Sequence, residues 1–94
     1  MKFRVLLLPS ARNDLIRVSN FLADVAPNTA LRMAEVLDQA LRSLETLPER
    51  APTNSNGGRD LFVPFGQAGY VVRYRIEGEN IIVVRLFHTR EDRR

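Results

Sequence analysis

Apolar residues recur along this chain first without a helical period, then at steps of four and three, then by strict alternation. Lys2–Leu8 is a run of mostly branched or bulky residues stopped by Pro9, which predicts a strand. Beyond it, Ala11, Leu15, Val18, Leu22 and Val25 form one stripe of a helix, with Arg12, Asn13, Arg17, Asn20 and Asp24 off it and wet. Ser10 is placed to cap that helix, and Pro27 ends it. A second stripe follows at Ala30, Met33, Leu37, Leu41 (or Ala40), Leu44 and Leu47, capped by Asn28 or Thr29 and stopped by Pro48. Two striped helices joined by so few residues fold back as an antiparallel hairpin.

The segment 48–58 carries two prolines and two glycines and reads as a connecting loop. Three strands follow at Arg59–Phe65, Tyr70–Ile76 and Ile81–Phe87, joined at Gly66–Gly69 and Glu77–Asn80. The predicted architecture is α+β: an N-terminal strand, a helical hairpin, then a three-stranded antiparallel meander with one face under the helices. Pro64 cannot donate to a ladder, so Arg59–Phe65 is expected at the sheet edge.

Alternation assigns the faces. Tyr70, Val72, Tyr74 and Ile76 belong to the core, and Val71, Arg73 and Arg75 to the other side. In the last strand Ile82, Val84, Leu86 and His88 alternate with Ile81, Val83, Arg85 and Phe87. Burying an unpaired arginine is costly, so Arg85 is expected to point away from the helices and join Arg73 and Arg75 on the outer face. That phase requires an odd number of residues in the loop around Gly78. Tyr70 and Tyr74 are then packing residues, and His88 sits at the edge of the core, hydrogen-bonded within the fold.

Composition narrows the function classes. With 94 residues, 45% hydrophobic and 27% charged, the chain holds a single domain over 1–94 and is not globally disordered. The absence of cysteine excludes disulfides, thiol nucleophiles and cysteine-based metal sites. His88 is the only histidine, so neither a metal site nor a cofactor is expected. No apolar run approaches the roughly 18 residues that span a bilayer, and none makes a signal-peptide core, so a cytoplasmic location is expected with no membrane partner. Fourteen cations against eleven acids give +3, and only Lys2 among the cations is a lysine. Arginine's planar fork of donors favours an interaction surface. The mixed-sign tail Arg90–Arg94 reads as a solvated end.

In this order the motifs resemble the RelE/ParE superfamily, the toxin halves of bacterial type II toxin–antitoxin pairs. The matching features are Leu8-Pro9-Ser10-Ala11 running into Asp14-Leu15, and Leu44 and Leu47 with Pro48. They continue with Gly58-Arg59, Tyr70-Val71-Val72-Arg73-Tyr74-Arg75-Ile76, and Val84-Arg85-Leu86-Phe87-His88-Thr89-Arg90. The resemblance implies a cognate antitoxin with a DNA-binding amino-terminal part and an acidic carboxy-terminal segment, and operator DNA reached only through it. The superfamily divides by target. RelE-like members cut mRNA on the ribosome, and ParE-like members poison DNA gyrase.

The basic residues of a RelE-like site would fall near Phe62 and Pro64 and on Val71, and its terminal tyrosine has no counterpart; only Arg90 matches. Cleavage through a 2′-hydroxyl needs a base, an acid and cations. Were the protein a nuclease, Arg73, Arg85, His88 and Arg90 would have to carry it, and arginine does not shuttle protons. The resemblance therefore implies a ParE-like gyrase inhibitor, with Arg59, Arg73, Arg75, Arg85 and Arg90 contacting the target. A degenerate mRNA interferase and a non-toxic co-repressor are the alternatives. Ile16, Phe21, Leu31 and Val36 lie off the helical stripes and are expected to form the apolar surface for the antitoxin, with strand addition at the sheet edge. The free protein is expected to be poorly soluble without it.

Overall fold

The computed structural model describes residues 2–91. Elements follow in the order β1 (Arg4–Leu7), α1 (Pro9–Val25), α2 (Pro27–Ser43), β2 (Arg59–Phe65), β3 (Ala68–Glu77) and β4 (Asn80–His88). The sheet order is β1-β4-β3-β2, with β1 parallel to β4 and the other pairs antiparallel. This is the expected α+β layout, and β2 lies at an edge as Pro64 requires. Lys2 and Phe3 fall outside β1, which is shorter than the apolar run suggests. The tail residues Asp92, Arg93 and Arg94 lie outside the described residues.

Both helices begin on proline, whose missing N–H costs nothing at a first helical position. Pro27 therefore opens α2 as well as ending α1, and a single residue, Ala26, joins them. Neither Asn28 nor Thr29 caps α2, and Ser10 does not cap α1. The Ser10 hydroxyl instead donates to the Val84 carbonyl at 2.6 Å, tying the start of α1 to β4. Met33, Leu37 and Leu44 fill the core from the α2 side, Ala11 and Val18 from α1. Val25 and Leu47, the last residues of the two expected stripes, are exposed, and Leu47 lies beyond the end of α2. The α2 helix stops at Ser43, five residues before Pro48, and turns give way to the loop.

The meander turns are tighter than expected. Phe65 pairs with Ala68 and Glu77 with Asn80, so each hairpin closes over two residues. Gly66 and Gly78 hold φ of 64° and 60° at the first turn position, the left-handed region that such two-residue turns need. The odd residue is not in the loop around Gly78 but in β4. Arg73 pairs with Arg85 while Tyr74 pairs with Val83, leaving Val84 as a bulge. The bulge reverses the phase of the strand's first half. Ile81 and Val83 face the core, fully buried, and Leu86 faces it again beyond the bulge. The single alternation expected along β4 is corrected accordingly.

Candidate functional site

Beyond the helices, the outer sheet face is built from cross-strand rows. Phe62, Val71 and Phe87 form one row, Asp60, Arg73 and Arg85 the next, and Arg75, Ile82 and Leu6 a third. The arginines expected there are present, but each meets a carboxylate. Arg73 donates to both Asp60 oxygens at 2.9 and 3.1 Å and lies 5.3 Å over the Phe87 ring. Arg75 pairs with Glu77.

Arg85 departs from expectation. It stays opposite Arg73, but its guanidinium reaches α1 and grips buried Asp14 at 2.7 and 3.0 Å. The assignment of Arg85 to a face away from the helices is therefore corrected: with a buried carboxylate waiting on α1, the contact is a paired one and its burial cost is offset. Asp14 also accepts the Leu86 N–H at 2.9 Å, on the edge of β4 that β1 no longer covers, and a bond from Arg17 at 3.1 Å. Burial alone would raise the Asp14 pKa; the bonds from Arg85, Leu86 and Arg17 outweigh it and hold the group at about 2. The same kind of pairing with Arg73 lowers Asp60.

Arg59 is also engaged. Its guanidinium donates to the Ala51 and Glu49 carbonyls at 2.6 and 3.3 Å, bracing the loop against β2. Asn54 folds that loop further, its side-chain oxygen accepting from the N–H groups of Asn56 and Gly58 and its nitrogen donating to Asp60. The start of the β2 edge is covered by the same loop, since Asp60 donates its N–H to Pro52 at 3.1 Å. With Pro64 lacking an N–H, Phe62 offers the remaining outward donor of β2, so strand addition there has little to hold.

Of the apolar residues expected to await a partner, Ile16, Phe21 and Leu31 are 52, 68 and 66% exposed, but Val36 is half-buried and packs on the core. The expectation for Val36 is corrected: its position on α2 turns it toward the shared helix layer.

A groove of about 540 Å³ opens where the end of α1 meets the β2–β3 turn and the end of β4. Val18, Phe21, Leu22, Phe65 and Tyr70 wall it, and Arg17, His88, Arg90 and Glu91 stand at its polar side. His88 is half-buried as expected, its ring edge-on to Tyr70 at 5.1 Å and its Nδ1 accepting the Arg90 N–H at 3.1 Å. In the neutral ring the proton then resides on Nε2. Glu91 receives the His88 N–H and pairs with Arg17, fastening the turn after β4 to α1. Burial, and then the nearby Glu91 charge, raise the Tyr70 pKa and keep its phenol protonated.

The roles of Asp14, Asp60 and Glu91 were not foreseen from sequence; Asp14's position between two apolar stripe residues was the one available signal. Among the described residues no three His, Asp or Glu side chains gather as metal ligands do, and no helix is long and apolar enough to cross a membrane.

Comparison with known proteins agrees with this geometry. Residues 5–93 match a family model described as the ParE toxin of the type II toxin–antitoxin system parDE. Toxin RelE1 of Caulobacter vibrioides is 37% identical over 93 residues, which cover 99% of this chain and all of the relative. Toxin RelE3 of the same organism is 32% identical, over 90% of this chain and 92% of its own. Among solved structures, the chromosomal ParDE system of P. aeruginosa has a similar chain, with TM-score 0.75, 16% identity, and 93 and 96% of the two chains covered. The RelBE2 toxin–antitoxin complex of Mycobacterium tuberculosis has another, with TM-score 0.62, 22% identity, and 94 and 99% covered. At these identities the structural likeness concerns the fold.

Proposed function

The chain belongs to the ParE/RelE family of type II toxin–antitoxin toxins, and from that premise we propose that it acts in the cytoplasm by binding and blocking DNA gyrase, restrained by a cognate antitoxin. The observation that carries this reading is the pairing of the sheet arginines. Arg73, Arg75 and Arg85 are each engaged by a carboxylate, so the face that would have to grip an RNA backbone is close to neutral. What it presents is exposed Phe62 beside half-buried Val71, bordered by ion pairs, with Phe87 buried beneath Arg73, a surface suited to a protein partner.

Ribonuclease activity is the alternative, and two facts favour it: both Caulobacter relatives carry the name RelE, and one groove gathers His88, Tyr70, Arg17, Arg90 and Glu91. Cutting RNA there would need an acid and a base working together. Glu91 is held by Arg17 and by the His88 N–H, and the Tyr70 phenol is pushed toward higher pKa. The His88 imidazole is the remaining acid–base side chain of the groove, and its Nδ1 already accepts the Arg90 N–H, so the groove offers at most half of the required pair.

Induction in growing cells separates the two. The binding reading predicts trapped gyrase–DNA breaks and induction of the DNA-damage response, with translated messages intact by primer extension. Cuts within translated codons, absent when His88 is replaced by alanine, would decide for the ribonuclease.

A further inference from the structure

The loop ahead of β2 carries a dipeptide with chemistry of its own. Asn56 is followed by Gly57, and a backbone nitrogen reaches the preceding side-chain amide with least obstruction when its residue has no Cβ. Both residues are exposed. Gly57 holds φ of 84°, and beyond its chain neighbours no atom lies within 4 Å of where its Cβ would stand. Its N–H has one long bond, 3.4 Å to the Asn54 carbonyl. Among the described residues no hydrogen bond holds the Asn56 side-chain amide.

The chain's other asparagines lack this combination. Asn13, Asn20 and Asn28 lie within helices and precede Asp14, Phe21 and Thr29, whose side chains crowd the attack. Asn80 opens β4 ahead of branched Ile81. Asn54 precedes Ser55, and its amide is spent on the loop. The oxygen accepts from the N–H groups of Asn56 and Gly58 at 2.9 and 3.0 Å, and the nitrogen donates to Asp60 at 3.0 Å.

We propose that Asn56 is a site of spontaneous deamidation through a cyclic imide with Gly57, and that the isoaspartate formed there unfastens the loop from Asn54. Hydroxide takes the Gly57 amide proton and the nitrogen bonds to Asn56 Cγ. The bond from Cγ to the side-chain nitrogen then breaks, and ammonia leaves with a proton from solvent. Water opens the five-membered imide at either carbonyl. Opening at Cγ gives aspartate in the ordinary chain; opening at the backbone carbonyl gives isoaspartate, with the main chain routed through Cγ. One water is consumed and one ammonia released, with no oxidant or reductant.

Either product adds a negative charge to a chain of formal charge +3. Isoaspartate also inserts a methylene between residues 56 and 57, inside the span that Asn54 brackets through the Asn56 and Gly58 N–H groups. Gly58 has little room to take up the extra length. A Cβ there would lie 2.7 Å from the Tyr74 carbonyl oxygen, so its backbone is already packed on β3. The bracket therefore opens.

Peptide mapping by mass spectrometry of the full-length protein, aged in buffer from neutral to mildly alkaline pH, tests the conversion. Amide-to-acid change is expected at Asn56 about tenfold or more faster than at any other asparagine, which a barrier lower by ~1.4 kcal/mol suffices to give. The rate should rise with hydroxide concentration, and isoaspartyl methyltransferase should label the product. Asn56→Gln, exposed and with no side-chain bond to lose, is expected to stay unconverted, since attack on its amide must close a six-membered ring. In amide spectra of the aged protein, hydrogen exchange at the Asn54 and Gly58 N–H groups is expected to quicken about tenfold in the isoaspartate form, as local opening requires. An intact Asn56 over the time in which the urea-unfolded chain converts there overturns the proposal. So does earlier conversion at another asparagine. Conversion with the Asn54 and Gly58 amides still protected overturns the unfastening.

Discussion

Arg73 and Arg85 stand directly opposite each other across β3 and β4, yet their guanidinium groups part, Arg73 to Asp60 on β2 and Arg85 to Asp14 on α1. Like charges in that position would destabilise the sheet by about 0.2–1 kcal/mol if left unanswered. The two carboxylates convert a repulsive pair into ties that run from β2 through the sheet to the first helix. The bulge at Val84 makes this possible, since it sets Arg85 in register with Arg73 while keeping Ile81 and Val83 in the core.

Asp14→Ala is expected to cost about 1–3 kcal/mol, because it leaves the Leu86 N–H without its buried acceptor and unpairs the partly exposed Arg85. Asp14→Asn keeps one acceptor and is expected to cost less. Urea denaturation measures both, and a loss below about 1 kcal/mol for the alanine variant would contradict the role given to Asp14.

Acid should expose the same contact. The folded pKa of Asp14, about 2, lies below its ordinary value of 3.8, so its contribution is complete above roughly pH 4 and is lost as pH falls through 2. A shift of this size corresponds to about 2 kcal/mol. Thermal melts between pH 2 and 5 are expected to show the loss in the native protein and a flatter profile in Asp14→Asn. Parallel profiles would exclude Asp14 as the cause.

Asp60→Asn is expected to act on charge more than on stability. Its pair with Arg73 is about a third exposed, so the cost should remain within about 1 kcal/mol. Releasing Arg73 makes the outer face cationic, and the variant should elute later than the native protein from immobilised heparin. Unchanged retention would mean that Asp60 does not neutralise that face.

Gly69→Ala is expected to destabilise the β2–β3 hairpin. A methyl group there would lie 2.5 Å from the Val63 carbonyl oxygen and 2.7 Å from the Phe62 ring. Overpacking of this kind costs about 1–3 kcal/mol. Because the carbonyl contact remains, removing the ring with Phe62→Ala should restore only part of the loss in denaturation measurements.

Fold class, element order and the edge position of β2 were legible because hydrophobic period and proline placement are local signals. The face assignment of β4 failed because alternation assumes an unbroken strand, and nothing in Val83-Val84-Arg85 announces a bulge. The charge of the outer face was misjudged for a related reason. Asp14 and Asp60 lie 71 and 13 residues from the arginines they engage, and such pairings become visible only once the sheet order is known. Phe21 was recognised as off the helical stripe, but its groove draws on α1, the β2–β3 hairpin and the end of β4 together.

The central claim is that the toxin acts by occupancy and not by turnover, and titration of purified protein against supercoiling by DNA gyrase tests it most directly. Inhibition that rises with toxin and saturates near one toxin per gyrase subunit, and that is reversed by antitoxin, is the predicted result. Undisturbed supercoiling at a large excess of toxin, with codon-specific cleavage of mRNA on translating ribosomes by the same preparation, would contradict it.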